Sequence, residues 1–251
     1  MEKPKHNKAI IIGATSGIGR ALAIHMDKCG YELGLTGRRQ ALLVSLQNEL
    51  TQPSHIAQMD VSQSHDAVFE FESLLTKMRG VDLVIINAGT GTTDASFPLQ
   101  GELHTVAVNV AGFTALANSA FHFFAKQNSG HIVATSSIMA LRGGPCASYN
   151  ASKAYIAAYM EGLSCRAAKD GANISFTELR PGFVDTEMAK GDGVFWLASA
   201  EKAAQQIFVA IKKKKRIAYI TKRWWLISLI LKYVPFKVYL RLIGCKKPTK
   251  R

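Results

Sequence analysis

Short apolar runs alternate along the chain with longer segments in which apolar residues recur every three or four positions. The short runs predict β-strands and the longer segments predict amphipathic helices. The predicted strands cover residues 9–12, 32–36, 55–59, 82–86, 131–135, 174–179 and 217–220. The predicted helices cover residues 17–29, the stretch up to residue 50, and residues 67–78, 103–126, 149–168 and 200–213.

Strands that alternate with helices predict βαβ units and a parallel sheet. The fold class is therefore α/β, a Rossmann-type doubly wound sheet of about seven parallel strands with helices on both faces. Ligands of such sheets bind beyond the carboxyl ends of the strands. We expect one domain over residues 1–221, followed by a basic amphipathic tail over residues 222–251.

The positive charge lies at one end of the chain. The net charge of the 251 residues is +13. Residues 212–251 hold fourteen Lys and Arg and no acidic residue, which leaves 31 − 14 = 17 basic against 18 acidic residues elsewhere. This asymmetry predicts a surface interaction of the tail rather than a general nucleic-acid-binding domain.

Cysteine usage and the start of the chain indicate the compartment. The four cysteines lack metal-ligand spacing, so we expect no metal site, no disulfide framework and a reducing environment. The first eight residues are polar and the apolar run after them is short, so no secretory signal is expected. We expect a cytoplasmic protein, with a location on the inner face of a membrane as the alternative.

A glycine-rich turn joins the first predicted strand to its helix. It reads Gly13-Ala14-Thr15-Ser16-Gly17-Ile18-Gly19. Glycines let backbone N–H groups approach a pyrophosphate, and a helix N-terminus favours its negative charge. The cofactor contacts expected here are Gly13, Thr15, Ser16, Gly17, Ile18 and Gly19. The spacing Gly-x-x-x-Gly-x-Gly resembles that of the short-chain dehydrogenase/reductase family.

The end of the second strand indicates which nicotinamide cofactor binds. Arg38 and Arg39 follow it, and no acidic residue is there to bind the ribose diol of NAD. A guanidinium offers a planar fork of donors that suits a 2′-phosphate. The sequence therefore predicts NADP(H).

The family resemblance implies further cofactor contacts at three strand ends. Asp60 and Val61 match the pair that contacts adenine. The segment Asn87-Ala88-Gly89 matches the family's Asn-Asn-Ala-Gly, with Ile86 in place of the first Asn. The segment from Arg180 to Thr186 resembles the Pro-Gly segment beside the nicotinamide. Its expected contacts are Pro181, Gly182, Val184 and Thr186.

Tyr149 and Lys153 are the predicted acid/base pair. They lie four residues apart, which places both side chains on one face of a helix. A free Tyr has a pKa of about 10, and a neighbouring ammonium lowers that value. We therefore expect Tyr149 to exchange a proton with a carbonyl or alcohol oxygen, and both residues also to bind the cofactor.

Two serines compete for the position that holds the substrate oxygen in the family. Counting from the start of the fifth strand selects Ser137, and counting back thirteen residues from Tyr149 selects Ser136. A one-residue deletion between residues 140 and 148 would reconcile the two counts in favour of Ser137. We assign Ser137 as catalytic, with Ser136 as the alternative.

Asn109 completes the predicted site. It lies inside a long predicted helix although Asn is an indifferent helix former. The resemblance implies that this Asn interrupts the helix and holds a water, which extends a proton path from Tyr149 and Lys153.

The lid and the tail carry the least specific signals. The resemblance implies that the domain includes a substrate lid at about residues 187–199. This segment contains Met188, Phe195 and Trp196, which suit either an apolar substrate wall or packing within the lid. The apolar runs of the tail are shorter than the roughly twenty residues of a spanning helix. Its Trp and basic residues fit contact with an anionic membrane, and the alternatives are cover for the substrate pocket and a subunit interface.

These observations predict an NADP(H)-dependent oxidoreductase that interconverts a small-molecule carbonyl and an alcohol by hydride transfer. The resemblance also implies a homo-oligomer, a dimer or a tetramer. The alternatives are a regulatory protein that binds the cofactor without turnover, and a membrane or nucleic-acid binder acting through the tail. No nucleic-acid-binding module is recognisable in the tail, so nucleic acid is not expected as a partner.

Overall fold

A seven-stranded parallel sheet forms the centre of the protein. The computed structural model describes residues 7–91, 96–186 and 196–242. The strand order is β3-β2-β1-β4-β5-β6-β7, so the chain winds outward in both directions from β1 and β4. The strands are β1 Lys8–Ile12, β2 Glu32–Gly37, β3 Ser54–Gln58, β4 Leu83–Ile86, β5 Gly130–Thr135, β6 Ile174–Pro181 and β7 Ile217–Ile220. The predicted fold class and strand number are confirmed.

Helices cover both faces of the sheet. They are α1 Gly17–Lys28, α2 Gln40–Glu49, α3 Ser64–Met78, α4 Leu99–Val106, α5 Phe113–Gln127, α6 Ala147–Asp170, α7 Ala200–Lys212, α8 Trp224–Tyr233 and α9 Phe236–Leu242. The predicted bounds of the strands and of most helices differ from these by a few residues, because helix and strand ends depend on capping and tertiary contacts.

Two buried apolar clusters hold the layers together. One joins Phe71, Phe113 and Phe124 of the helices on one face to alternate residues of the central strands. The other joins Leu22 of α1 and Ile207 of α7 to the strand residues that point the opposite way. Burial on both faces explains why the central strands β1 and β4 are short runs of aliphatic residues without polar alternation.

The long predicted helix over 103–126 is wrong in one respect, because it is not a continuous α-helix. It begins earlier, at Leu99, and a π-helical segment over Ala107–Gly112 separates α4 from α5. Taken together, Leu99–Gln127 is long and apolar enough to cross a membrane by length and composition alone. Its buried residues include Leu116 and Phe124, which pack in the core, and core helices of soluble proteins have the same composition.

The tail forms two helices that pack on the domain. Trp224 of α8 and Tyr239 of α9 are buried, and Arg142 donates hydrogen bonds to the carbonyl oxygens of Leu231, at 3.0 Å, and Val234. Tyr239 also donates to the carbonyl of Gly143 over 2.6 Å. Residues 222–242 are therefore docked beside the loop that follows β5.

Candidate active site

The glycine turn between β1 and α1 is packed tightly against the end of β4. Gly13 has a φ of +89°, and a Cβ there would lie 2.8 Å from the backbone of Ala88. At Gly19 a Cβ would lie 2.0 Å from the carbonyl oxygen of Gly13. These contacts leave room only for glycine, so the turn keeps its backbone close to the first turn of α1.

Asn87 links this turn to the end of β5. Its Nδ2 donates to the carbonyl of Gly13 over 3.2 Å, and its Oδ1 accepts from Thr135 Oγ1 over 3.0 Å. Asn87 therefore connects the carboxyl ends of β1, β4 and β5 by hydrogen bonds. A doubly wound sheet binds its ligand at this edge.

A cluster of donors lies at the end of β2. Arg39 Nη2 donates to Ser16 Oγ over 2.9 Å and to Thr15 Oγ1 over 3.2 Å. Arg38 and Arg39 are both exposed, and the charge of Arg38 helps to hold Asp60 ionised. Burial opposes that ionisation, but hydrogen bonds from Ser62 outweigh it, and the pKa of Asp60 falls below its usual value.

Tyr149, Ser137 and Lys153 come together at the carboxyl end of β5. The side chain of Ser137 lies close enough to the Tyr149 hydroxyl to lower its pKa. Lys153 Nζ donates to the carbonyl of Thr135 over 2.9 Å and lies 5.6 Å from the centroid of the Tyr149 ring. Ser137 and Lys153 are almost fully buried, whereas Tyr149 as a whole residue is partly exposed. The phenol thus has its hydroxyl among buried polar groups and part of its ring at the surface.

Burial raises the pKa of Tyr149, although the hydrogen bond from Ser137 and the surrounding groups act in both directions. The prediction that the neighbouring ammonium of Lys153 lowers the pKa of Tyr149 is therefore wrong. The reason is that desolvation of the phenol is the largest influence on its pKa, and it acts against the charged form. Lys153 is buried as well, and desolvation lowers its pKa to about 8.

The two candidate serines point to different surroundings. Ser136 Oγ donates to Glu178 over 2.6 Å and contacts the carbonyl of Leu179 at 3.0 Å, both in the neighbouring strand β6. Ser137 Oγ accepts from the N–H of Met139 over 3.1 Å and reaches Tyr149. The structure therefore brings Ser137, and not Ser136, next to the Tyr149 hydroxyl.

Asn109 lies inside the π-helical segment and is fully buried. Its side chain pairs with Thr90 twice, accepting from the N–H over 2.8 Å and donating to the carbonyl over 2.7 Å. It also donates to Ser152 Oγ over 3.0 Å. A Cβ built at Gly89 would lie 3.4 Å from Asn109 Oδ1 and 3.1 Å from Lys153 Nζ. Gly89 therefore packs tightly against both side chains.

The segment after β6 closes over the glycine turn. A Cβ at Gly17 would meet the methyl group of Thr186 at 2.8 Å. Val184 is buried and forms a bridge with Ala198. Residues 187–195 of the predicted lid, including Met188 and Phe195, lie outside the described residues. Trp196 and Leu197 after them are 44% and 47% exposed.

Three residues beside the site carry no individual role in the sequence-based assignment. A Cβ at Gly91 would lie 2.7 Å from the ring of Tyr149, and one at Gly182 would lie 2.0 Å from Trp224. Arg142 connects the loop after β5 to the tail. Gly91 lies two residues after the Asn-Ala-Gly segment, so the motif could have indicated it. Trp224 and Arg142 act through contacts between distant parts of the chain, which no local motif indicates.

The chain belongs to the short chain dehydrogenase family, whose sequence profile it matches over residues 7–193. It is 31% identical over 195 residues to an uncharacterized oxidoreductase of Myxococcus xanthus, covering 75% of this chain and 76% of the relative. It is 30% identical over 228 residues to an uncharacterized oxidoreductase of Mycobacterium tuberculosis, covering 87% of this chain and 88% of the relative. The protein is therefore an oxidoreductase of this family.

Solved structures show the same fold. A short chain dehydrogenase/reductase from Burkholderia phymatum, in complex with NAD, superposes with a TM-score of 0.82 at 21% identity and full coverage of both chains. An alcohol dehydrogenase from Thermococcus sibiricus, complexed with 5-hydroxy-NADP, superposes with a TM-score of 0.75 at 23% identity, covering 86% of this chain and 95% of its own. The first of these neighbours thus holds NAD and the second a derivative of NADP.

Proposed function

We propose that this chain is an NADP(H)-dependent reductase of apolar carbonyl compounds, with Tyr149 as the proton donor and Ser137, Lys153 and Asn109 as its catalytic partners. The observation that carries the proposal is the meeting of the Tyr149 hydroxyl, Ser137 and buried Lys153 at the end of β5. Ser137 lies twelve residues before Tyr149 and Lys153 four residues after it, and each was assigned from its position in a motif.

Two features of the chain suit a dinucleotide. The turn over residues 13–19 admits only glycine at Gly13 and Gly19, and it presents the N-terminus of α1 at the sheet edge. The donors at the end of β2 are a guanidinium and two hydroxyls, which suit a phosphate on the ribose better than a free diol. The residues that would hold the remaining cofactor groups are Asp60, Val61, Asn87, Ala88, Gly89, Tyr149, Lys153, Pro181, Gly182, Val184 and Thr186.

When bound, NADPH supplies a hydride to the carbonyl carbon. Ser137 and Tyr149 hold the carbonyl oxygen by hydrogen bonds, and Tyr149 transfers its hydroxyl proton to that oxygen as the alcohol forms. Because burial raises the pKa of Tyr149, the phenol is protonated at neutral pH, as reduction requires. Lys153, whose Nζ lies 5.6 Å from the centroid of the Tyr149 ring, would return a proton to the phenolate, and Asn109 would hold a water that links to Lys153.

The test of the proton donor is Tyr149→Phe. Removing one hydroxyl should lower kcat for carbonyl reduction by at least about a hundredfold, because general acid catalysis contributes on the order of 10² to 10⁴. NADPH binding, measured by fluorescence titration, should stay within about threefold of the wild-type protein, because the ring is retained. A Tyr159→Phe variant on the same helix is the control. Turnover that survives in Tyr149→Phe would show that another group donates the proton.

The cofactor preference rests on Arg38 and Arg39. Replacing either with Ala should weaken NADPH binding by about tenfold or more, since a charge-assisted hydrogen bond is worth about 1.5–3 kcal/mol. NADH lacks the 2′-phosphate, so its dissociation constant should change little. Calorimetric titration of both cofactors checks this, with Arg166→Ala as the exposed control on α6. Equal losses of NADPH and NADH affinity would contradict the assignment.

A further inference from the structure

The two helices of the tail present a continuous apolar surface. On α8, Trp224 and Ser228 point inward and are buried, while the opposite side is exposed. We call this exposed side of α8 and α9 the outer face. Its large residues are 40–72% exposed and comprise Trp225, Leu226, Leu229, Ile230, Tyr233, Phe236 and Leu242. The spacing 225, 226, 229, 230 and 233 is that of one side of a helix.

Cations surround the outer face. Lys222, Arg223, Lys232, Lys237 and Arg241 are all exposed, and no acidic residue occurs after residue 201. Residues 212–251 carry fourteen positive charges and the rest of the protein is close to neutral, so this end accounts for the whole net charge of +13. Apolar side chains flanked by Trp, Tyr, Lys and Arg have the composition of a segment that lies in the interface of an anionic bilayer.

The outer face is held in a fixed position relative to the active site. Arg142 and Tyr239 connect the tail to the loop between Ser137 and Tyr149 through hydrogen bonds to Leu231, Val234 and Gly143. Arg142 also lies over the Tyr239 ring, 4.6 Å from its centroid. A surface on which α8 and α9 rest would therefore lie beside the loop that carries Ser137.

A second copy of this chain fits the outer face poorly. A symmetric dimer through this face would bring the same five cations of each copy together, with no carboxylate in residues 212–251 to pair with them. Anionic lipid headgroups supply the opposite charge, and the acyl region accepts the apolar side chains. Charge complementarity thus selects a lipid surface over self-association.

We propose that the outer face docks this enzyme on an anionic bilayer and that its carbonyl substrate is an amphiphile resident in that bilayer. The docking stands on the tail alone, whereas the substrate class rests on the proposed reductase function. The apolar group of such a substrate would enter past α8 and α9, with its carbonyl toward Tyr149.

Docking is tested with the full chain and vesicles of phosphatidylcholine, with or without phosphatidylglycerol. The protein should sediment with the vesicles that contain phosphatidylglycerol at low salt, and less so at high salt because the attraction is screened. Ile230→Glu should weaken that binding by at least about tenfold. The change removes an apolar side chain that would enter the bilayer and adds a negative charge that the anionic headgroups repel. Val209→Glu on α7, with a similar starting exposure of 51% against 54%, should bind as the wild-type protein does.

Equal binding to both vesicle types, or full binding by Ile230→Glu, would overturn the docking proposal. So would an Ile230→Glu variant that changes from oligomer to monomer while the wild-type protein ignores vesicles, since the face would then be a subunit interface. Vesicle binding needs no turnover, so inactivity toward every carbonyl would overturn the proposed function and leave docking standing.

The substrate class is tested by comparing a water-soluble aldehyde with a long-chain aldehyde embedded in the vesicles. Ile230→Glu should keep its turnover of the soluble aldehyde and lose most of its turnover of the embedded one. Equal turnover of the embedded aldehyde by the variant and the wild-type protein would overturn delivery from the bilayer.

Discussion

Lys153 is a cation that the fold holds almost out of water. It is 4% exposed, and the carbonyl of Thr135 is its hydrogen-bond partner at 2.9 Å. Burial lowers its pKa from 10.5 to about 8, which means that the folded protein binds this proton less tightly than the unfolded chain does. Below pH 8 the residue is protonated in both states and the full cost of desolvation acts against folding. As the pH rises from 8 to 10.5 that cost is relieved, so the unfolding free energy should increase across this window.

Lys153→Met should therefore stabilise the protein while it abolishes the proposed activity. Lowering the pKa of Lys153 from 10.5 to about 8 corresponds to a desolvation cost of about 3 kcal/mol, which the variant avoids. The variant also loses the hydrogen bond to Thr135, which offsets about 1–2 kcal/mol of that gain. We expect a net gain of about 1–2 kcal/mol at pH 7 without nucleotide, measured by urea unfolding. The gain should shrink as the pH rises above 8, and above pH 10.5 it should reverse to a small loss, because only the lost hydrogen bond then counts.

Lys169→Met on the same helix is the control for this measurement, because Lys169 is exposed and its replacement should leave stability nearly unchanged. A Lys153→Met protein that is less stable than the wild type at every pH would show that Lys153 contributes more by packing and hydrogen bonding than burial of its charge costs. A stabilised but inactive variant would mark Lys153 as a residue kept at the expense of stability.

At the scale of elements, the parts that local pattern predicts are those whose physics is local. The central strands are aliphatic because both faces of the sheet are covered, and the positive φ angles at Gly13 and Gly17 in the glycine turn favour glycine. The spacing of Tyr149 and Lys153 follows from the helix period. Strand number, sheet type and the meeting point of the motifs were therefore within reach of the sequence.

Other features depend on contacts between distant elements, and local pattern does not contain them. The π-helical segment around Asn109 is accompanied by paired hydrogen bonds to Thr90, nineteen residues earlier. The choice between Ser136 and Ser137 depends on Glu178 in the neighbouring strand, which binds Ser136. The raised pKa of Tyr149 depends on how deeply its hydroxyl is desolvated, which spacing along the chain does not measure.

At the scale of the whole molecule, the tail is part of the same folded unit as the sheet. Trp224 is 2% exposed and fills the space above Gly182, where a Cβ would meet its ring at 2.0 Å. Its ring also makes edge contacts with Phe183, just after β6, and with Trp196, near the end of the predicted lid. One indole thus joins α8 to both of these segments, so tail and domain should unfold together.

Trp224→Ala should lower the unfolding free energy of the whole protein by about 3 kcal/mol, the low end of the range for truncating a buried Trp. Its neighbour Trp225 is 51% exposed, so Trp225→Ala is a matched control that should cost less than about 1 kcal/mol. Far-ultraviolet circular dichroism in urea reports the helices and the sheet together, without relying on the replaced fluorophore. If the tail belongs to one cooperative unit, the single transition of Trp224→Ala moves to lower urea as a whole. If α8 and α9 unfold independently of the domain, a small early transition appears and the main transition stays in place.

Gly182 lies under Trp224 in the segment proposed to hold the nicotinamide. A Trp224→Ala protein that unfolds as one unit at lower urea should therefore also bind NADPH more weakly, and Trp225→Ala should bind NADPH as the wild-type protein does.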